Sequence, residues 1–278
     1  MNNKKLSEIF FSTQRLSIKN DSYFDTYEFI LGQYVGRPIT FIEIGVFNGG
    51  SLHMWREYFG SAARIIGVDL NPVALELEAD GFEIYIGNQE KKDFWVDLKK
   101  KIGAADIILD DGGHKNGQQI ATLFYGVELI RDGGVIVIED THTSYFRRFG
   151  NPSPFSFINY SKKIIDVINS RFRFVKSRQS KFYDCVWGAS YFESIAAFYI
   201  NKSKCGPGSP VINNGQSIGA IDFRDHSNSP VIILAKIEQW VISFAVTRPV
   251  KKLISKLFDG LIFCYEFVCD IKLLKYFK

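Results

Sequence analysis

The chain has 278 residues, with 34 Lys and Arg against 30 Asp and Glu, a net charge of +4, and 46% hydrophobic residues. That length supports one sizeable core plus an appendage, or two small domains, and so modest a charge does not call for a nucleic-acid partner. Four cysteines, Cys185, Cys205, Cys264 and Cys269, form no CxxC pair, which points away from a zinc site or a disulfide framework and towards reduced thiols.

The opening Met1-Asn2-Asn3-Lys4-Lys5 is followed by no long apolar run, so no signal peptide is expected. No stretch reaches the roughly 18 apolar residues of a membrane span. Residues 1–35 read as a helical segment, with Asp21 or Ser22 capping a helix through Tyr23, Tyr27, Phe29, Ile30 and Leu31. Such a segment either covers a cofactor as a lid or packs on a sheet.

Residues 36–145 alternate strand and helix. Strands are expected over Thr40–Ile44, Arg64–Val68, Gly81–Ile86, Asp106–Leu109 and Gly134–Ile138, with helices over Ser51–Phe59, Lys92–Ile102 and Gly117–Ile130 and a short helix begun by Pro72. Strict alternation implies parallel strands joined by right-handed crossovers, hence an α/β fold with a doubly wound, mostly parallel sheet. A helix over Phe157–Ser170, a strand over Phe172–Lys176 and two strand-like runs, Val186–Phe192 and Ser194–Ile200, are expected to close it with an antiparallel edge.

At Ser203 a Gly/Pro/Ser-rich stretch ends the domain, 36–202, and residues 203–278 form a linker and a helical C-terminal appendage. Helices are expected over Val231–Val246 and Val250–Tyr276. In the second, Val250, Leu253, Ile254, Leu257, Phe258, Leu261, Tyr265 and Val268 recur at helical spacing, opposite Lys251, Lys252, Lys256, Lys272, Lys275 and Lys278. This pattern suits peripheral contact with a membrane surface or a homo-oligomer contact.

The chemistry-bearing residues follow the strands. Glu43-Ile44-Gly45-Val46-Phe47-Asn48-Gly49-Gly50-Ser51 is a glycine loop leading into a helix, where the backbone approaches a ligand closely and the helix N-terminus favours a polar group. It is not GxGxxG. An acid two positions before the first glycine suits a cofactor with an α-amino group, S-adenosylmethionine (SAM), with Glu43, Gly45, Asn48, Gly49 and Ser51 as its contacts. Asp69 ends the second strand, where a carboxylate accepts ribose hydroxyls. Asn88 and Gln89 follow the third, where amides read an adenine edge or make a turn.

The two apolar runs ending Asp110-Asp111-Gly112-Gly113-His114 and Glu139-Asp140-Thr141-His142 carry the rest. Neighbouring parallel strands bring such ends together at the ligand-binding edge. Asp111, Glu139 and Asp140 are oxygen donors and favour Mg²⁺, Mn²⁺ or Ca²⁺ over zinc. Asp110 faces the cofactor or caps the turn. His114 has a pKa suited to general-base work. His142 is a second acid–base candidate, and His53 is structural.

Phe41–Ser51, Met54–Gly60, Ile65–Pro72, Ile108–His114 and Gly133–Phe146 resemble the metal-dependent sugar O-methyltransferases of macrolide biosynthesis, the mycinamicin and tylosin type, and the related cephalosporin-hydroxylase-like methyltransferases. The resemblance covers roughly residues 35–150 and departs at Gly113, where serine is commoner. It implies a Rossmann-like class I methyltransferase using SAM and a divalent metal. Asp111, Glu139 and Asp140 are then the metal ligands and His114 the base, with Tyr145 in the substrate pocket beside His142. The expected activity is methylation of a sugar hydroxyl on a surface polysaccharide or glycosylated metabolite, in the cytoplasm or peripherally at the inner membrane. The alternatives are an NAD-dependent sugar dehydrogenase on the same sheet, against which the glycine loop argues, and a non-catalytic nucleoside-binding module.

Overall fold

In the computed structural model, which describes residues 4–149, 153–172, 175, 180–211, 213, 229–244 and 247–276, seven strands form one sheet. They are β1 (Thr40–Ile44), β2 (Arg64–Asp69), β3 (Glu83–Ile86), β4 (Ala105–Asp110), β5 (Ile130–Ile138), β6 (Val186–Phe192) and β7 (Ile195–Ile200), in the order β3-β2-β1-β4-β5-β7-β6. The first five run parallel, and β7 pairs antiparallel with both β5 and β6. This is the expected doubly wound sheet with an antiparallel edge.

Both faces of the sheet are covered, which is why its strands read as near-continuous apolar runs rather than alternating ones. In β5, Val135 and Val137 point to one face and Ile136 and Ile138 to the other. The first face packs against helices α1 (Leu6–Ser12), α2 (Tyr23–Leu31) and α3 (Gly50–Phe59), through Leu6, Ile9, Tyr27 and Trp55. The second packs against α4 (Lys92–Ile102), α5 (Asn116–Gly126) and α6 (Phe157–Asn169), through Trp95, Leu98, Leu123, Phe157 and Ile164. Tyr27 meets Trp55 edge-on, ring centroids 5.1 Å apart, and Trp55 stacks on Phe59. The N-terminal segment is therefore built into the core through its helices.

Several boundaries differ from the sequence reading. The helix expected to run to Ile130 ends at Gly126, because Ile130 already pairs with Ala105 at the start of β5. Gly133, at φ +87°, interrupts the β4–β5 register. The segment begun by Pro72 is a 3-10 helix, Pro72–Asp80, capped by Asn71, whose side chain accepts from the Val73 N–H. Ser22 does precede α2, but makes no side-chain cap; its hydroxyl lies with Asn20. The strand expected over Phe172–Lys176 lies largely outside the described residues, and its described members form a turn in which Val175 N–H donates to the Phe172 carbonyl.

The chain divides into two units, Met1–Pro210 and Val211–Lys278. Residues 203–204 stay with the first unit: the Lys202 N–H donates to Asp132, and Asn201 caps the turn after it. In the second unit, α7 (Ser229–Phe244) packs on α8 (Arg248–Asp270), and Ser255 donates to Glu238 at 2.6 Å. Pro249 sits in the first turn of α8, where its missing N–H costs nothing. Residues 245–246 of the expected first helix and 277–278 lie outside the described residues. Among the described residues, no helix is long and apolar enough to cross a membrane.

Candidate active site

Register sets the site. Ile44 pairs with Asp110, and Asp110 pairs with Ile138. The next residues, Gly45, Asp111 and Glu139, therefore leave three adjacent strands at the same level. This is the carboxyl edge of the sheet at the point where the strand order reverses, between β1 and β4, the usual ligand position in such folds. A cavity of about 610 Å³ opens there.

The glycine loop forms one wall. Gly45 has φ +84°, and a Cβ on it would stand 2.1 Å from the Asp111 carbonyl oxygen. No other residue lets the loops after β1 and β4 touch in this way. Gly49, at φ +80°, starts α3, with Leu77 where its side chain would be. Gly45, Asn48 and Ser51 line the cavity, whereas Gly49 is set behind it.

Asp69 also lines the cavity; its Oδ2 accepts from the Val46 N–H at 3.0 Å and its Oδ1 from the Asn71 N–H at 2.8 Å. Each carboxylate oxygen keeps a further lone pair for a ligand. Asn88 and Gln89 stand on the same wall. The Gln89 amide donates to both Asp110 oxygens, at 3.0 and 2.9 Å, and the Gly112 N–H donates to Asp110 as well. Asp110 is thus the buried cap of the turn after β4, and burial raises its pKa.

Glu43 lies beneath the cavity rather than on its wall. It is fully buried and accepts from Ser51 Oγ at 2.8 Å and Trp55 Nε1 at 3.3 Å. Burial pushes its carboxyl up to about 7, against the opposing pull of Lys19. Glu43, expected to contact a cofactor amine, is not on the cavity wall. Its cation partner is Lys19, 3.7 Å away.

Lys19 is the residue that the sequence reading missed. Its Nζ donates to Asp111 Oδ2 at 2.6 Å and to both Glu139 oxygens, at 3.0 and 2.9 Å, with its side chain 1% exposed. Burial alone would lower the ammonium pKa, but Asp111, Glu139 and Glu43 together raise it. Glu139 is buried as well, and its pKa is pushed well up by burial and by the Asp111 charge. Only the surplus of acids at the strand ends hinted that the chain would supply a cation here; Ser17-Ile18-Lys19-Asn20 carries no pattern.

Asp111, His114 and Asp140 face the cavity, and one ligand atom from each lies within 4.8 Å of the others. His114 Nε2 is 3.3 Å from Asp140 Oδ2, and the Tyr23 hydroxyl donates to Asp140 Oδ1 at 2.5 Å. Burial first, then this bond, raises the Tyr23 pKa, keeping the hydroxyl a donor. Among the described residues the non-glycine positions with positive φ are Phe47, His114, Asp140 and Ser194. Such strain gathers at functional sites: His114 and Asp140 belong to the trio, Phe47 lines the cavity, and Ser194 hydrogen-bonds His142 Nδ1. His142 itself is 3.9 Å from Asp140, with Tyr145 exposed nearby and neither on the cavity wall.

The donor chemistry fits a hard divalent ion. Mg²⁺ is commonly held by one or two carboxylates, with water and substrate oxygens completing its shell. Asp111 and Asp140 offer such a pair on the open side, and Glu139 stands behind it with both oxygens on Lys19.

The chain has a Rossmann-like, class I methyltransferase fold. Its solved neighbours include MycE of the mycinamycin biosynthetic pathway in complex with Mg, SAH and mycinamycin VI, at a TM-score of 0.66 and 22% identity over 82% of this chain and 60% of that one. A second MycE complex, with Mg and SAH, gives 0.62 and 23% over 75% and 58%. No family model matches the chain.

Curated relatives are O-methyltransferases by name, two of them naming a rhamnosyl group. A tetracenomycin-C rhamnosyl 3'-O-methyltransferase of Streptomyces olivaceus is 34% identical over 45% of this chain and 33% of its own length. The corresponding 2'-O-methyltransferase is 26% identical over 67% and 52%. Demethylmacrocin O-methyltransferase of Streptomyces fradiae is 31% identical over 44% and 32%. The chain thus spans between 32% and 52% of the length of these relatives.

Proposed function

We propose that this chain is a SAM- and divalent-metal-dependent O-methyltransferase acting on a sugar hydroxyl. The observation that carries the reading is the convergence of Asp111, His114 and Asp140 on one end of a cavity whose other walls are the Gly45 loop and Asp69. Oxygen and imidazole donors beside a glycine loop and a strand-end carboxylate in one cavity suit transfer between a nucleoside cofactor and a hydroxyl.

Asp69 would accept the ribose hydroxyls, Asn88 and Gln89 would read the adenine edge, and Gly45, Asn48 and Ser51 would border the amino-acid end. Asp111, Glu139 and Asp140 would hold Mg²⁺ or Mn²⁺. SAM supplies an electrophilic methyl group, and the divalent ion supplies positive charge that lowers the acceptor hydroxyl pKa. His114 Nε2 takes the acceptor proton as general base. Asp140, 3.3 Å away, orients the imidazole and stabilises it once charged. His142, 3.9 Å from Asp140, and Tyr145 would meet the acceptor.

The acceptor we infer is a glycan of a surface polysaccharide or a glycosylated metabolite, as the sugar-directed names of the relatives support. The α7–α8 unit is the reason to favour acceptors presented at a membrane. Its stripe Ile233, Ile237, Trp240 and Phe244, and its stripe Val250, Leu253, Leu257 and Leu261, are exposed. Arg248, Lys251, Lys252 and Lys256 are exposed beside the second. An exposed apolar stripe edged by cations fits the cytoplasmic face of an anionic bilayer.

Cofactor choice tests the reading first. SAM and SAH should raise the melting temperature of the full chain and NAD should not. Stabilisation by NAD alone would favour the dehydrogenase reading instead.

A further inference from the structure

The segment between α1 and α2, residues 13–22, crosses the cavity edge as irregular chain. Arg15 pairs with Asp80 at 2.7 Å. The Arg15 and Leu16 carbonyls press on Gly50, where a Cβ would stand 2.4 and 2.7 Å from them. Ser17 and Ile18 form part of the cavity wall. Lys19 then turns inward, and its side chain reaches the acid set.

We propose that Lys19 is a tethered cation that alternates with the divalent ion on Asp111 and Glu139, so that metal binding frees residues 13–22 from the cavity wall. The inference rests on the metal-dependent reading above and deepens it. An ammonium has three N–H donors. Here they face three carboxylate oxygens, Asp111 Oδ2, Glu139 Oε1 and Glu139 Oε2, all within 3.0 Å. An ion that takes Glu139 must remove those N–H groups. Two cations held against the same buried acids would also repel each other strongly, because the interior screens charge poorly.

Lys19 is the only member of its segment that ends among the buried acids. Arg15 lies at the surface, and Ser17 and Ile18 make wall contacts. Withdrawal of one side chain therefore removes the buried ionic anchor of the wall and leaves the surface pair Arg15–Asp80, while α1 and α2 on either side remain packed in the core. Lys19 acts on the reaction through the ion and is a positioning residue.

The test is Mn²⁺ titration of the metal-stripped full chain, read from the free Mn²⁺ EPR signal without SAM. Lys19→Met and Lys19→Gln should bind Mn²⁺ at least about tenfold more tightly than the unsubstituted chain, because no ion pair has to be displaced. Equal or weaker binding in folded variants overturns the proposal. A second measurement needs no variant: amide hydrogen exchange over residues 13–22 should quicken when Mn²⁺ saturates the chain. Unchanged or slower exchange there overturns it too. Release of the segment by Mn²⁺ without methyl transfer to any glycoside would support the alternation while rejecting the methyltransferase reading. Absence of Mn²⁺ binding to all three proteins would overturn both.

Discussion

The Lys19 ammonium lies 2.6 Å from Asp111 Oδ2, 92 residues apart in sequence, and joins the N-terminal segment to the carboxyl edge of the sheet. Glu43, Asp111 and Glu139 all come within 4 Å of this one cation. Three acids at the ends of adjacent strands would repel one another, and Lys19 offsets part of that repulsion from within the chain.

Gly45→Ala tests how closely the two loops must approach. The substitution places a methyl group 2.1 Å from the Asp111 carbonyl at a φ of +84°. The expected loss is about 2 kcal/mol or more, with SAM binding abolished as the loops move apart. Gly60→Ala is the control, because Gly60 has φ +88° but open space around it. It should cost about 1 to 3 kcal/mol, because φ +88° with ψ 175° is a backbone region all but reserved for glycine, and leave SAM binding intact. Equal melting temperatures and equal SAM affinities for the two variants would show that the Gly45–Asp111 contact is not needed.

Glu43 gives a pH signature. Burial raises its pKa to about 7 in the folded chain, above the roughly 4.3 of a free glutamate. Since the folded value is the higher, its stabilising contribution is fully present below the unfolded value and is lost as pH rises to about 7. Glu43→Gln cannot ionise. Measured in chelator, the melting temperature of Glu43→Gln relative to the unsubstituted chain should climb between pH 4.5 and 7 and level off above it. A difference that is flat with pH would refute the buried, pH-sensitive carboxyl.

Much of the sheet was legible because each strand is buried on both faces, which leaves short Ile/Val runs such as Ile107–Leu109 and Val135–Ile138 between polar turns. The strand-end acids were legible for the same reason: carboxylates directly after such runs lie at the ligand edge of the sheet, although Asp110 caps the turn there. Lys19 was not, because its partners are set by the tertiary path of an irregular segment and not by any local pattern. Glu43 carried the expected acid-before-glycine signature, yet Ser51, Trp55 and Lys19 hold it beneath the cavity. The helical period in 250–268 was also visible, but not its division. Ile254, Phe258 and Tyr265 are partly buried, while Val250, Leu253, Leu257 and Leu261 are exposed.

That exposed stripe predicts membrane association. The full chain should co-sediment with vesicles rich in phosphatidylglycerol and fail to do so with neutral phosphatidylcholine vesicles. Leu253→Asp combined with Leu257→Asp should reduce sedimentation about tenfold or more, because both side chains are more than half exposed and available to lipid. If the same pair instead converts a dimer to a monomer in solution and leaves sedimentation unchanged, the stripe binds a second copy of the chain.

The most direct test of the account is methyl transfer itself. Full-length chain, radiolabelled SAM and a panel of glycosides and polysaccharides should give labelled sugar in the presence of Mg²⁺. Chelator should abolish the label and added Mg²⁺ restore it. His114→Ala should lower kcat by a factor of about 10² to 10⁴ while the chain stays folded and SAM affinity holds. Transfer that is indifferent to chelator and to His114→Ala, or no transfer to any member of the panel, would contradict the proposed reaction.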